Sequence, residues 1–147
     1  MRRFFLLSIR PQYSERILSG HKRFELRKRK LGAVPGDVVV IYTSAPTQAL
    51  TGAFLVEGEL EMPVATLWRQ HRMELGIQEE DYAEYFRNAD RAVAIAIGRT
   101  VTIHHIPLDE LRRVRPGFTP PQSYMYCPEP LTARFPASAL RKLLRAA

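Results

Sequence analysis

Between Gly20 and Lys30 the chain reads GHKRFELRKRK, six lysines and arginines and one histidine around a single carboxylate, Glu25. From Arg23 to Arg29 the residues alternate: Phe24 and Leu26 face one way, and Arg23, Glu25, Arg27 and Arg29 face the other, as a half-buried strand requires. A solvated outer face is the plain explanation. Two features argue for more. Like charges two residues apart on one face repel unless something anionic sits among them. Glu25, flanked by Arg23 and Arg27, is expected to stay ionised and to brace those guanidiniums, and a braced arginine loses less freedom when it grips a phosphate.

The charge of the whole chain agrees. Ten lysines and arginines against Glu15 and Glu25 put +8 in residues 1–30, while twelve against thirteen leave −1 in the remaining 117. Polarity of that kind favours a polyanionic partner. No basic amphipathic helix opens the chain to lie on an acidic membrane, and no apolar run approaches the roughly 18 residues of a spanning helix. The apolar start after Arg2 and Arg3 is too short for a signal peptide and is broken by Arg10. Cys127 is the one cysteine, so no internal disulfide forms and a reducing, cytoplasmic setting is expected.

The elements that must position the basic segment follow from local patterns. Phe4 to Ile9 reads as a buried strand. Pro11 opens a short helix with Tyr13, Ile17 and Leu18 as its apolar stripe, and Gly20 ends it as a left-handed cap. Pro35-Gly36-Asp37 is a turn into a buried strand, Val38 to Thr43, with Ser44-Ala45-Pro46 as a loop. Leu50 to Glu61 is a longer strand with bulges expected at Gly52 and Gly58. Helices are expected from Pro63 through Leu75 and from Gln78 to Asn88. Strands Ala92 to Ile97 and Val101 to Ile106 flank another candidate bulge at Gly98, and a short helix runs from Leu108 to about Val114. Residues 115–136 are too rich in proline for regular helix. Leu140, Leu143 and Leu144 give a last helix a docking face. Nothing marks a second domain or a repeat, so residues 1–147 are expected to form one α+β domain, a small, mostly antiparallel β-barrel decorated with helices.

Other arrangements carry less. The helix pair around Gly76 is spaced like a helix-turn-helix, but Glu79, Glu80, Asp81 and Glu84 against Arg87 suit a helix N-terminus and not a phosphate backbone. Tyr82, Tyr85 and Phe86 read as its packing face. His104 and His105 are strand neighbours pointing apart and make a poor metal pair; no metal site is expected. Cys127 lacks a catalytic context, and Trp68 reads as a core anchor.

The stretch GHKRFELR, with Gly20, Lys22, Glu25 and Arg27, resembles the GxKxxExR signature of ASCH domains, members of the PUA-like superfamily. LLSIRPQYSERILSGHK resembles the opening strand, helix and turn of that family, PGDVVVIYTSAP its second block, and PPQSYMY its closing segment, so the likeness runs from residue 6 to 126. It implies a PUA-like pseudo-barrel with a cleft at the motif strand, lined by Lys22, Glu25 and Arg27, and RNA or a modified base as the ligand. Arg23, Lys28, Arg29 and Lys30 would add phosphate contacts. Tyr42 is expected to stack on a base, and Ser44, Gln122 and Ser123 to reach its edge, because their blocks would close over the cleft. The leading expectation is an RNA-binding or modified-nucleotide-binding module without cofactor. The alternative is a hydrolase: a ribonuclease, with a divalent metal conceivable, or an amidohydrolase acting on a modified nucleoside such as N4-acetylcytidine. In either, Lys22 and Glu25 would be catalytic, with the pKa of Lys22 depressed by neighbouring cations. Glu57 or Glu59 would serve as a second acid. The resemblance breaks where an amidohydrolase carries its nucleophilic threonine, since that position is Glu25 here; Thr43 is the stand-in from another strand.

Overall fold

The computed structural model of the chain describes residues 1–145. In order it contains β1 (Phe4–Ile9), α1 (Pro11–Leu18), β2 (Phe24–Arg27), β3 (Val38–Thr43), β4 (Ala49–Pro63), α2 (Val64–His71), one 3-10 turn (Arg72–Glu74), α3 (Glu79–Tyr85), β5 (Arg91–Pro107), α4 (Leu108–Val114), β6 (Tyr124–Tyr126), α5 (Glu129–Arg134) and α6 (Ala137–Leu144). The six strands form one sheet in the order β2-β5-β4-β3-β1-β6, curled into a half-barrel. β1 and β3 pair in parallel; every other pairing is antiparallel. The α+β class and the barrel-like architecture are those expected.

β1 and β3 are apolar almost throughout because both of their faces are covered. One alternate set, with Phe5, Leu7, Ile9, Val39 and Ile41, fills the concave side together with Ile17 of α1 and Leu31 of the loop after β2. The other set, with Leu6, Val38, Val40 and Tyr42, lies under Leu111, Leu131 and Leu143 of α4, α5 and α6. A third cluster sets Phe24 and Leu26 of β2 against Leu67 of α2 and Tyr82 of α3; Trp68 packs at its margin, as a core anchor should.

β4 shifts register at Gly52 and at Gly58, where bulges were expected. At Gly52 the close approach makes glycine necessary, since a Cβ would stand 2.3 Å from the carbonyl oxygen of Val101. Gly98 does not divide two strands. β5 runs unbroken through it as one strand, and the expected bulge is there: three residue steps of β5, from Ile97 to Thr100, span the two from Val56 to Phe54 on β4. The proline-rich stretch also holds more structure than its composition suggests. Pro130 occupies the first turn of α5, where its missing N–H costs nothing, and three residues before Cys127 form the edge strand β6.

The loop from 28 to 37 is pinned across the concave side by Asp37, which is 1% exposed. It accepts hydrogen bonds from the backbone of Arg3 and Val34 and from the Arg3 guanidinium at 2.8–3.0 Å. Burial pushes its pKa upward, and those donors outweigh it, so the net shift is down.

Candidate functional site

The signature residues are placed by two turns that meet. Gly20, with φ +88°, ends α1 as the sequence predicts, and the chain doubles back so that Lys22 N–H donates to the Arg16 carbonyl at 2.9 Å. From the far side comes the turn after the 3-10 segment. Arg23 N–H donates to Glu74 O at 2.8 Å, Arg16 Nη1 to Gly76 O at 2.9 Å, and Lys22 Nζ to Leu75 O at 2.5 Å. Gly76, at φ +60°, packs against Lys22 so closely that a Cβ would lie 2.6 Å from the lysine Cβ.

Lys22 is therefore buried, 2% exposed, with its ammonium 5.1 Å from the Tyr13 ring centroid. Its pKa is lowered to about 8, first by burial; Arg16 lowers it further and Glu25 opposes. The sequence suggests neighbouring cations as the cause, whereas loss of water is the larger one. Glu25, 6% exposed, sits on the concave side opposite Ile95 of β5.

The bracing of arginine by Glu25 is half realised. Arg27 Nε stands 3.0 Å from Glu25 Oε2, an ionic contact without hydrogen-bond alignment. Arg23 turns away and donates to Ile97 O at 3.2 Å. Arg27 does something the sequence does not disclose. β2 is one edge of the sheet and β6 the other, and Arg27 donates across the gap to Ser8 O of β1 and to Ser123 O just before β6, both at 3.2 Å. It staples the mouth of the half-barrel. Arg27→Ala is expected to lower stability by about 2 kcal/mol in urea unfolding, from lost charge-assisted bonds and a less compensated Glu25. Arg27→Lys recovers less than half, because one ammonium cannot fork to two carbonyls.

Over this staple opens a cleft of about 590 Å³, a volume typical of small-ligand sites. Its walls are the end of β1 with α1 (Ser8 to Tyr13), the signature (Lys22, Glu25 to Lys28), α3 (Asp81, Glu84, Tyr85, with Arg87 beyond) and Gln122. Five lysines and arginines face three carboxylates there. Of the residues singled out in the sequence, Lys22, Glu25, Arg27, Lys28 and Gln122 line it. Arg29 and Lys30 are exposed on the loop beyond β2 and outside the lining. Ser123 is outside the lining, and its carbonyl accepts the bond from Arg27. Tyr42 is 2% exposed in the core under α4 to α6 and cannot stack on a ligand; its side chain alternates to the convex face of β3. Ser44 is half-buried in the loop after β3, outside the cleft.

Thr43 is also withdrawn, buried and bonded to Ser14 and Thr51 at 3.0 and 2.8 Å. Glu59 is engaged by the backbone N–H groups of Leu31 and Gly32, and Glu57 lies outside the cleft. α3 is the larger surprise. It does carry Tyr82 and Phe86 into the core as expected, but Tyr85 is 36% exposed and, with Asp81 and Glu84, forms a wall of the cleft. Lys28 Nζ lies 5.0 Å from the Tyr85 ring centroid. Tyr13 and Tyr85 were legible only as helix-packing residues, because helical spacing does not tell which flank of the stripe meets the sheet. Among the described residues no three His, Cys, Asp or Glu side chains gather closely enough to hold a metal ion, and no helix is long and apolar enough to cross a membrane.

A half-barrel with this signature on one sheet edge and a basic cleft at its mouth defines a PUA-like domain. The ASCH domain model matches residues 7–100, and the chain belongs to the ASCH domain family. An ASCH domain-containing ribonuclease from Zymomonas mobilis is 30% identical over 118 residues, 80% of each chain. The crystal structure of ASCH from Zymomonas mobilis matches with a TM-score of 0.85 and 30% identity, over 91% of this chain and 94% of that one. A serine-to-alanine variant of it gives 0.84 and 28%, over 90% and 94%. The N-terminal domain of Staphylothermus marinus McrB, 10% identical with a TM-score of 0.50 over 79% of this chain and 82% of that one, shares the fold alone.

Proposed function

We propose that the cleft binds single-stranded RNA and cleaves it, with Lys22 and Glu25 moving the protons. The observation that carries this reading is Lys22 itself: an amine held in a cleft beside a carboxylate, at a pKa of about 8 where it can both hold and release a proton near neutral pH. The relative named as a ribonuclease supports RNA as the substrate class.

The step balances without a further reactant. The ribose 2′-oxygen attacks the adjacent phosphorus as its proton passes to Glu25. The bond from phosphorus to the 5′-oxygen breaks, and Lys22 donates a proton to that leaving oxygen. A 2′,3′-cyclic phosphate and a 5′-hydroxyl result, and a proton returning from Glu25 to Lys22 restores the pair. One N–H of Lys22 is spent on Leu75 O, which fixes the amine; two remain for the phosphate and the leaving group. Arg10 and Lys28 at the rim attract the backbone. An acyl-transfer reaction on a modified nucleoside has weaker support, since Glu25 occupies the nucleophile position and Thr43 is tied elsewhere.

End-labelled single-stranded RNA tests the reading. Cleavage products ending in 2′,3′-cyclic phosphate are expected, and replacing one ribose by 2′-deoxyribose should abolish cleavage at that linkage alone. Cutting that ignores the 2′-deoxy position, or no cutting under any condition, would rule the mechanism out.

A further inference from the structure

The strand that closes the sheet is unusual for an edge. Edge strands are commonly protected by charge, by brevity or by a covering element. β6 is brief, three residues, yet it presents Tyr124 at 39% and Tyr126 at 59% exposure. Both rings are backed by Phe5, with centroids 5.9 and 5.2 Å away, so they are held in place while leaving over a third of their surface open. The strand leaves directly from the cleft. Gln122 lines it, Ser123 is bonded to Arg27, and Tyr124 follows.

Positive charge follows the same line. Arg3 stands 5.2 Å from the Phe5 centroid, beside the Tyr126 hydroxyl, and Arg3 Nη2 donates to Gly32 O at 2.6 Å. That bond brings Gly32, two residues past the exposed Lys30 of the basic loop, to the same end of β6. Arg2, the preceding residue in the chain, is exposed and donates Nε to Gly36 O at 2.7 Å. Aromatic faces on a rigid backing, with cations alongside, suit a single strand whose bases stack while its phosphates are neutralised.

We propose that β6 is the exit track of the cleft: Tyr124 and Tyr126 each stack one base of the single-stranded RNA running out of it, flanked by Arg2, Arg29 and Lys30. This rests on RNA being the ligand of the cleft. The track predicts a dependence on length. An oligouridylate of about eight nucleotides reaches both tyrosines, whereas a dinucleotide fills only the cleft.

Binding is measured by fluorescence anisotropy with 2′-O-methyl oligouridylates, which resist 2′-oxygen attack, against the wild-type chain and Tyr124→Leu/Tyr126→Leu. Leucine keeps apolar backing on Phe5 and removes the stacking ring. A loss of about tenfold per tyrosine is expected for the longer probe, with dinucleotide affinity unchanged. Tyr124→Phe/Tyr126→Phe, which retains both rings, should bind the longer probe like the wild type and guards against a folding defect. Equal affinity of the leucine variant and the wild type for the longer probe overturns the track while leaving the cleft reading intact. Wild-type chain that binds neither probe overturns both. Should sedimentation show a wild-type dimer that the leucine variant abolishes, the tyrosines serve a contact between copies, and the track is wrong.

Discussion

Lys22→Met is expected to slow RNA cleavage by about a thousandfold, the scale on which a positioned proton donor acts. Methionine keeps an unbranched stem against Gly76 and Tyr13, so the cleft walls stay in place. The pH dependence separates proton transfer from mere charge. With the Lys22 pKa near 8, wild-type cleavage should fall as pH rises through that value, since the proton needed by the leaving oxygen is gone. Lys22→Arg keeps the charge but holds its proton throughout, and its residual rate should show no such descending limb. A wild-type rate that stays level from pH 7 to 9.5 would remove Lys22 from the role.

The same shift appears in stability, with the sign fixed by linkage. The folded pKa, about 8, lies below the usual 10.5, so between the two values the unfolded chain holds a proton that the folded chain has lost. Stability contributed by this group is therefore full above the unfolded value and lost as pH falls through about 8. From pH 8 to 9.5 the wild type should gain about 2 kcal/mol relative to Lys22→Met. Comparing the two proteins in urea cancels the titration of other groups.

Gly76→Ala should cost about 3 kcal/mol and reduce cleavage about a hundredfold. Two penalties combine there. A left-handed residue with a side chain costs about 1–2 kcal/mol. The new Cβ would lie 2.6 Å from Lys22 Cβ and 3.0 Å from its Cα, so backbone must separate from backbone, a strain of about 1–3 kcal/mol. Lys22 then leaves Leu75 O, and displacement of a reacting group by about 1 Å is enough for the loss of rate. Gly20→Ala is the control. Its φ is +88° but nothing lies within 4 Å of its Cβ position, so only the conformational penalty remains and Lys22 stays seated. Equal destabilisation by the two alanines would show that crowding against Lys22 is absent.

The contrast between Gly20 and Gly76 shows where sequence reading reaches its limit. Gly20 follows a proline-started helix with an apolar stripe, and its role as cap is local, fixed by neighbours a few residues away. The same is true of β1, β3, the bulges at Gly52 and Gly58 and the alternation that sets Glu25 on the face opposite Phe24 and Leu26, all decided by patterns within one element. The signature and the charge of residues 1–30 likewise stand in the sequence and point to β2, which lines the cleft.

What the tertiary structure alone decided concerns pairs far apart in the chain. Burial of Lys22 comes from a turn 53 residues later, and water loss, more than adjacent charge, lowers its pKa. Arg27 reads locally as a phosphate fork, yet curling of the sheet brings Ser123 within its reach and turns it into a staple. Tyr42 sits in a block that the resemblance placed over the cleft, while strand alternation sent its ring to the opposite face. Tyr85 went the other way, from assumed packing to cleft wall. Short-range sterics fix which elements form; which of their faces meet depends on the curvature of the whole sheet, and no window of sequence contains that.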